Sequence, residues 1–269
     1  MELNVLLIFL LGASIGSFIN VLIYRIPLKE SIVFGRSRCP KCQYQLSWFD
    51  NIPIISWLLL LGICRKCKEN ISTNYPIVEL VTAFLYVLNL YAKPTLYIDS
   101  QFLFSKILGF ILIFICISLF LFDLKFFWLP SFITLCGLSI GLGGSLLVSV
   151  YENFNINYLI YSASAAFFGY LFFLLLRVFG EKIFRKPVLG RGDEKLVALL
   201  GSFLGIQGIL ITIWLSFNLA GIIILIGLLF KKIKRSQKIP FGIFLSISAL
   251  MVWYFGNPFF LNFIFFKPS

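Results

Sequence analysis

The sequence contains no histidine, only two methionines and only eleven acidic residues in 269 positions. Each acidic position is therefore informative. The apolar stretches are continuous and lack the alternation of polar and apolar residues that is typical of a transmembrane barrel, so we do not expect a barrel. No positively charged segment precedes the first apolar run, and no small-residue cleavage site follows it. We therefore expect a spanning helix there and not a cleaved signal peptide.

Apolar residues dominate the sequence: 60% of it is hydrophobic, 18% is aromatic, and its mean hydropathy is +0.98. A soluble globular domain is much less apolar than this. Because one spanning helix needs about 20 apolar residues, we predict an all-α integral membrane protein with a polytopic bundle of about eight transmembrane helices. The predicted spans are 4–24, 77–92, 103–122, 131–150, 157–179, 196–213, 215–230 and 240–260.

The 23 basic residues give the chain a formal net charge of +12. They lie in the gaps between apolar runs, where cytoplasmic loops and anionic lipid account for them, so the charge does not indicate nucleic-acid binding. All but three lie in the segments 25–76, 123–130, 177–195 and 231–239. The positive-inside rule therefore places these segments in the cytoplasm and the amino terminus outside. The three exceptions are Lys93, Lys106 and Lys267.

The apolar stretch 196–230 is too long for one spanning helix and has basic segments at both ends. Both flanks favour the cytoplasm, so an even number of crossings must separate them. We therefore predict a helical hairpin with its turn around Ser216 and Asn218.

Residues 25–76 are too polar and too rich in proline and cysteine to be a simple connector. We predict a first transmembrane helix over 1–24, a small cytoplasmic cysteine domain over 25–76, and a transmembrane bundle over 77–269.

Two CxxC pairs lie in the predicted cytoplasmic domain, Cys39 with Cys42 and Cys64 with Cys67. Two such pairs place four thiolates at the corners of a tetrahedron, which suits a structural zinc ion. A metal also stabilises a small domain that has little core of its own. Four sulfur ligands leave no open coordination position, so we do not expect the metal to be the catalyst. Disulfides, disfavoured by a reducing cytoplasm, and redox-active or unliganded thiols are the alternatives.

Two aspartates lie where predicted spans meet the cytoplasm. Asp123 closes the third span, and Asp193 opens the sixth within the segment 190–196, which reads GRGDEKL. An ionisable group at membrane depth is costly and is a functional candidate for that reason. Two neighbouring carboxylates can share one proton. One of them then takes a proton from water while the other polarises a peptide carbonyl.

Gly190 and Gly192 would let an extended substrate backbone approach the start of the helix that carries Asp193. Purely structural roles are the alternative. Asp193 could cap the amino terminus of its helix, and Asp123 could form an ion pair with Lys125 or Arg191.

The chain resembles the prepilin peptidases, the type IV leader peptidases of pilus, type II secretion and competence systems. The resemblance covers most of the sequence. It is carried by the segments 12–25, 36–42, 50–57 and 75–79, by Phe122-Asp123 with Pro130, by 190–196 with Gly201, and by Ile239-Pro240-Phe241-Gly242.

This resemblance implies that Asp123 and Asp193 are the catalytic pair of an aspartic endopeptidase. Such an enzyme removes the basic leader peptide from type IV prepilins or pseudopilins at the cytoplasmic face of the bacterial inner membrane. Many members then methylate the new amino terminus with S-adenosylmethionine, and the cysteine tetrad is also a family feature. Supporting roles fall to the motif residues Gly190, Gly192, Lys195 and Glu79.

Two positions depart from the family pattern. Lys125 stands where many members have a second acidic residue, and Ser131 stands where an acidic residue often follows the proline. The sequence has no glycine-rich dinucleotide-binding fingerprint, so a methyl-donor site would have to be assembled from cytoplasmic loops.

Two other functions are considered beside prepilin processing. One is intramembrane proteolysis of the presenilin or signal-peptide-peptidase type, against which the cysteine domain argues. The other is proton- or cation-coupled transport that uses the two aspartates as a relay.

Overall fold

A computed structural model of the chain describes residues 2–92, 102–151, 155–186, 189–231 and 238–264. Lys93 and Lys267, which we predict on the outer side, and most of the basic segment 231–239 lie outside the described residues. The chain divides into two compact units, Met1–Tyr91 and Ala92–Ser269.

The described residues form eight α-helices and one short 3₁₀ helix, Trp48–Asn51. The α-helices are α1 (Glu2–Arg25), α2 (Ile55–Leu59), α3 (Asn74–Asn89), α4 (Phe102–Phe126), α5 (Ser131–Tyr151), α6 (Asn157–Phe184), α7 (Arg191–Leu229) and α8 (Gly242–Ile264).

The prediction of an all-α, multi-pass membrane protein is confirmed. Within the described ranges there is no β-strand, only two isolated bridges that lie among the loops before α3. Among the described residues, five helices are long and apolar enough to cross a membrane: Asn4–Arg25, Phe104–Phe126, Ser131–Tyr151, Asn157–Phe184 and Arg191–Leu229. Gly242–Asn257 is a shorter apolar helix.

In the first unit, α1 packs against α3 through two glycines one turn apart. A Cβ atom at Gly12 would lie 2.7 Å from the Cα atom of Ala83, and one at Gly16 would lie 2.6 Å from the Cα atom of Glu79. Small residues at this spacing let two helix backbones approach closely. This contact places α3 in the same unit as α1, whereas our predicted boundary at residue 77 grouped α3 with the later helices.

The second unit is a bundle of α4 to α8 around a core of fully buried apolar side chains, among them Leu112, Phe122, Phe173, Leu196, Leu199, Phe203 and Trp253. Glycines again allow close contact between α6 and α7. A Cβ atom at Gly201 would lie 2.7 Å from the backbone oxygen of Ala165, and one at Gly169 would lie 2.7 Å from the Val197 side chain.

Helix α7 is broken at Gly205, whose φ of 68° and ψ of −179° are not helical. The ring of Phe217 lies 5.1 Å from that of Phe241, at the start of α8. Gly242, the next residue, packs against Asp123, which interacts with Asp193. These contacts place Phe217 near Asp193. In a straight helix the 24 residues from Asp193 to Phe217 would instead span about 36 Å. The chain therefore turns back at Gly205.

The predicted hairpin is therefore present, but the predicted turn at Ser216 and Asn218 is wrong, because both residues are helical. The turn falls on Gly205 because a positive φ is strained for any residue with a Cβ atom.

Candidate active site and metal centre

Asp123 and Asp193 come together in the second unit. Asp123 lies in the last turn of α4, and Asp193 lies in the first turn of α7. Only 6% of Asp123 and 8% of Asp193 is exposed, and the carboxylates are near enough for their charges to repel each other. The two candidates that the sequence indicates thus share one site.

Leu129, in the loop between α4 and α5, touches the backbone on both sides of this site. A Cβ atom at Gly192 would lie 2.9 Å from the Cβ atom of Leu129, and one at Gly242 would lie 3.3 Å from its Cδ1 atom. Leu129 is itself buried. It therefore closes the site between the start of α7 and the start of α8.

The carboxylate of Asp123 rests on the first turn of α8. A Cβ atom at Gly242 would lie 2.8 Å from the Oδ2 atom of Asp123, and the backbone amides of Gly242 and Ile243 approach the carboxylate. The Oδ2 atom is buried and has no hydrogen-bond partner among the described residues. Buried polar atoms without a partner are rare in folded proteins and call for an explanation.

Asp193 is held by the loop that precedes its helix. Its Oδ2 atom accepts the backbone N–H of Gly190 at 3.1 Å, and Gly190 is the N-cap residue of α7. The capping role considered above is therefore present in part: Asp193 sits at the third helical position and satisfies the N-cap amide. Its Oδ1 atom is not used in this contact.

The alternative partners of Asp123 are not found. No salt bridge joins Asp123 to Lys125 or Arg191, all three of which belong to the described part of the chain. Lys195 instead donates a hydrogen bond from Nζ to the Oγ atom of Ser131, at 2.8 Å. That contact joins the first turn of α7 to the first residue of α5.

A buried ion pair beside the aspartates escaped the sequence analysis. The Nε atom of Arg177 donates to the Oε1 atom of Glu194, and the two side chains are 16% and 5% exposed. Arg177 also lies 3.7 Å from Glu181, one turn further along α6. The sequence contained two signals for this pair: an acidic residue beside the candidate aspartate, and an arginine at the end of the preceding span. Only the fold shows that the two side chains meet.

The four cysteines of the two CxxC pairs converge in the first unit. All four Sγ atoms lie within 4.8 Å of one another. The Cys39 and Cys67 sulfurs are 3.9 Å apart, and those of Cys42 and Cys64 are 4.0 Å apart. Sulfurs placed 2.3 Å from a tetrahedral metal lie about 3.8 Å from each other, whereas a disulfide requires about 2.05 Å. The cluster fits a metal ion and does not contain disulfides.

Both CxxC turns have the same backbone geometry. The carbonyl of Cys39 accepts the N–H of Gln43, and that of Cys64 accepts the N–H of Lys68. Gln43 and Lys68 both have a positive φ, 56° and 59°. Backbone N–H groups of Cys67 and Lys66 lower the pKa of the Cys64 thiol to about 7, whereas burial and the neighbouring cysteine thiols raise the pKa of Cys67 to about 12.

Glu79, the remaining motif residue, lies in the first unit. It is buried in the first half of α3, and its Oε2 atom accepts the backbone N–H of Ile54 at 2.7 Å. Its contacts are with α1 and the loop before α2.

Comparison with known proteins gives a consistent set of relatives. Residues 10–93 match the family described as Bacterial Peptidase A24 N-terminal domain, and residues 110–226 match the Type IV leader peptidase family. A Prepilin leader peptidase/N-methyltransferase of Vibrio cholerae is 34% identical over 94% of this chain and 98% of that protein.

Two further relatives with the same name are similar in extent. The protein of Myxococcus xanthus is 33% identical over 93% of this chain and 72% of its own length. The protein of Legionella pneumophila is 32% identical, with 94% and 91% covered. No solved structure matches the chain.

Proposed function

This chain belongs to the type IV leader peptidase family, and we propose that Asp123 and Asp193 are the two aspartates with which it cuts its substrate. It is a membrane endopeptidase that processes prepilins, and nothing in its relatives supports the transporter alternative. The observation that carries the residue assignment is the pairing of these two buried carboxylates, one of which has an oxygen without a partner.

The proposed reaction is hydrolysis of one peptide bond. One carboxylate accepts a proton from water as the water oxygen attacks the carbonyl carbon, and the other donates its proton to the carbonyl oxygen. When the tetrahedral intermediate collapses, the carbon–nitrogen bond breaks and the leaving nitrogen takes a proton from the pair. The free Oδ2 atom of Asp123 is suited to hold the water.

The substrate is a prepilin or pseudopilin with a basic leader. The apolar segment of such a substrate would lie in the bilayer beside the helices, so that the leader junction meets the aspartates. Gly190 precedes α7 with an extended φ of −77° and ψ of 143°, and its lack of a side chain leaves room for a substrate strand to approach the start of the helix.

We infer the identity of the membrane from the family, and the orientation of the chain in it from the distribution of lysine and arginine. We place the chain in the bacterial inner membrane, with its amino terminus outside and both sites at the cytoplasmic face. The concentration of lysine and arginine in 25–76, 177–195 and 231–239 supports this orientation.

The metal of the cysteine cluster is zinc in this proposal. Cys39, Cys42, Cys64 and Cys67 would hold it with four thiolates and no open position, so its role is structural. It would fix two loops that have few apolar residues to pack.

The second activity that we propose is N-methylation of the amino terminus that cleavage exposes, as the names of the relatives suggest. S-adenosylmethionine supplies an electrophilic methyl group: a nitrogen–carbon bond forms as the carbon–sulfur bond breaks, the sulfur keeps the electron pair, and the amine loses a proton.

Co-expression with a prepilin tests the aspartate assignment. Asp123→Asn and Asp193→Asn should each leave the leader attached, as judged by the mass of the pilin, because neither amide can exchange a proton with water or substrate. The matched control is Glu181→Gln, which removes an acidic group from the exposed part of α6 and should leave processing intact. Full processing by either aspartate variant would overturn the assignment.

A further inference from the structure

The last helix carries two buried hydroxyl groups that bond to nothing in the described part of the chain. Ser246 and Ser248 of α8 are 1% and 0% exposed, and neither Oγ atom has a hydrogen-bond partner among the described residues. Burying a hydroxyl group without a partner costs free energy, so such an atom in a folded protein calls for an explanation.

Buried serines and threonines elsewhere in this bundle bond to the preceding turn of their own helix. Seven of them donate to a carbonyl oxygen three or four residues earlier, at 2.7 to 3.0 Å: Ser118, Thr134, Ser145, Ser149, Ser202, Thr212 and Ser216. This bond is open to any serine inside a helix. Ser246 and Ser248 do not make it, so their hydroxyl groups are available to another partner.

The face of α8 that carries Ser246 is the one that meets Asp123. Gly242 lies one turn before Ser246, and a Cβ atom at Gly242 would lie 2.8 Å from the Oδ2 atom of Asp123. Residues four apart share one face of a helix, and their side chains lean toward its amino terminus. The Ser246 side chain therefore leans over the space beside this oxygen that Gly242, having no side chain, leaves open.

The spacing of Ser246 from this carboxylate oxygen suits one bridging water. Cβ positions four residues apart on a helix are separated by about 5–6 Å. A water that bonds to two oxygens at about 2.8 Å each spans the same interval. Within the described ranges both oxygens are buried and lack a partner, and two polar partners are enough to hold a buried water.

We propose that Ser246 positions the water that attacks the substrate, and that it holds this water together with the Oδ2 atom of Asp123. The inference rests on the proposed function and adds a positioning residue to it. As the water oxygen attacks the carbonyl carbon, the water loses a proton to Asp123, and Asp193 gives its proton to the carbonyl oxygen. Ser246 neither gains nor loses a proton. Its hydroxyl fixes the place of the water, which matters for the chemical step and not for substrate binding.

Ser248 is equally buried but faces a different helix. Val252, one turn after Ser248, lies 3.7 Å from the Cβ position of Gly208 in α7. Phe241, two turns before Ser248, has its ring 5.1 Å from that of Phe217 in α7. Ser248 is thus a control that matches Ser246 in residue type, helix and burial but lies on the α7 side.

The kinetics of prepilin cleavage by the purified full-length protein test the proposal. Ser246→Ala should lower kcat at least about tenfold and leave KM nearly unchanged, because a misplaced water slows the chemical step without weakening substrate binding. Ser248→Ala should keep both constants of the wild type.

A second pair of variants separates the hydroxyl from packing. Thr and Val have nearly the same shape, and only Thr carries a hydroxyl. Ser246→Thr should therefore cleave at least about tenfold faster than Ser246→Val, whereas a purely structural role would slow both alike. Thermal unfolding midpoints identify any variant that has lost its fold.

Three results would overturn the role of Ser246: wild-type kcat in Ser246→Ala, equal kcat in Ser246→Thr and Ser246→Val, or an equal fall in Ser246→Ala and Ser248→Ala. If Asp123→Asn is inactive in the same assay, the aspartate assignment survives any of these. Wild-type cleavage by Asp123→Asn would instead overturn the proposed function and the role of Ser246 together.

Discussion

The two units of this protein hold their polar groups by different means. In Met1–Tyr91, loops with little regular structure are shaped by the Arg25 guanidinium and by the convergence of four thiols. In Ala92–Ser269, the carboxylates of Asp123 and Asp193 are enclosed by long apolar helices whose glycines allow close packing. The first site depends on charge and metal binding, and the second on helix packing, so each should be open to disruption without the other.

Removal of the metal gives the largest expected effect. Cys39→Ser combined with Cys64→Ser should reduce bound zinc from about one per chain to none, because two thiolates are too few for a closed site. Metal analysis of the purified protein measures the effect.

Cys136→Ser is the control for this experiment. Cys136 is an exposed cysteine of α5, in the other unit, and its loss should not change the zinc content. Full zinc occupancy in the double variant would contradict the assignment of the ligands.

The Arg177–Glu194 pair should be the most sensitive electrostatic contact of the second unit. Arg177→Met leaves the buried Glu194 carboxylate without its partner, which destabilises the fold because the charge stays buried and uncompensated. We expect a large fall in the thermal unfolding midpoint. The double variant Arg177→Met with Glu194→Gln should recover part of the loss, because the uncompensated charge is gone. Equal midpoints for the single and double variants would show that the lost charge pair is not the cause.

Gly242 tests whether the approach of α8 to Asp123 matters for cleavage. Gly242→Ala would place a methyl group 2.8 Å from the Asp123 Oδ2 atom, and displacement of a catalytic group by about 1 Å can cost about 100-fold in rate. The leader cleavage rate should fall by about that factor. Gly221→Ala is the control, since no atom lies within 4 Å of its Cβ position. Equal rates for the two variants would contradict the close contact.

The smallest expected effect concerns the hydrogen bond between Lys195 and Ser131. Ser131→Ala removes this contact and should cost about 1 kcal/mol or less, as for an ordinary exposed hydrogen bond. Ser131→Asp should restore or exceed wild-type stability, because an ion pair replaces a neutral acceptor. Unfolding midpoints of the two variants measure the difference, and a lower midpoint for Ser131→Asp than for Ser131→Ala would exclude an ion pair.

The helical membrane architecture and the cysteine cluster were predictable from the sequence, because both depend on patterns along the chain. Apolar runs of about 20 residues determine the spans. Two CxxC pairs in one small domain predict a cluster of four thiols. The meeting of Asp123 with Asp193 was also predictable in outline, since lysine and arginine place both residues at one boundary.

Contacts between segments far apart in sequence were not predictable in the same way. Gly205 is one of 20 glycines, and the polar residues at 216 and 218 were a more obvious but wrong signal for the turn. The approach of Gly242 to Asp123 and the pairing of Arg177 with Glu194 depend on helix packing. The hydrogen bonds from the Arg25 guanidinium to the carbonyls of Ser31 and Gly35 depend on the folded position of the loop after α1.

The most direct test of the role proposed for Asp193 uses one variant and two substrates, one for each proposed activity. Purified Asp193→Asn protein is given either an intact prepilin or a pilin whose leader has already been removed, with S-adenosylmethionine present. We predict that the intact prepilin stays uncut, while the free amino terminus of the processed pilin is methylated at the wild-type rate. Cleavage of the prepilin by this variant would contradict the role of Asp193. Loss of both cleavage and methylation would contradict the prediction that methylation does not need Asp193.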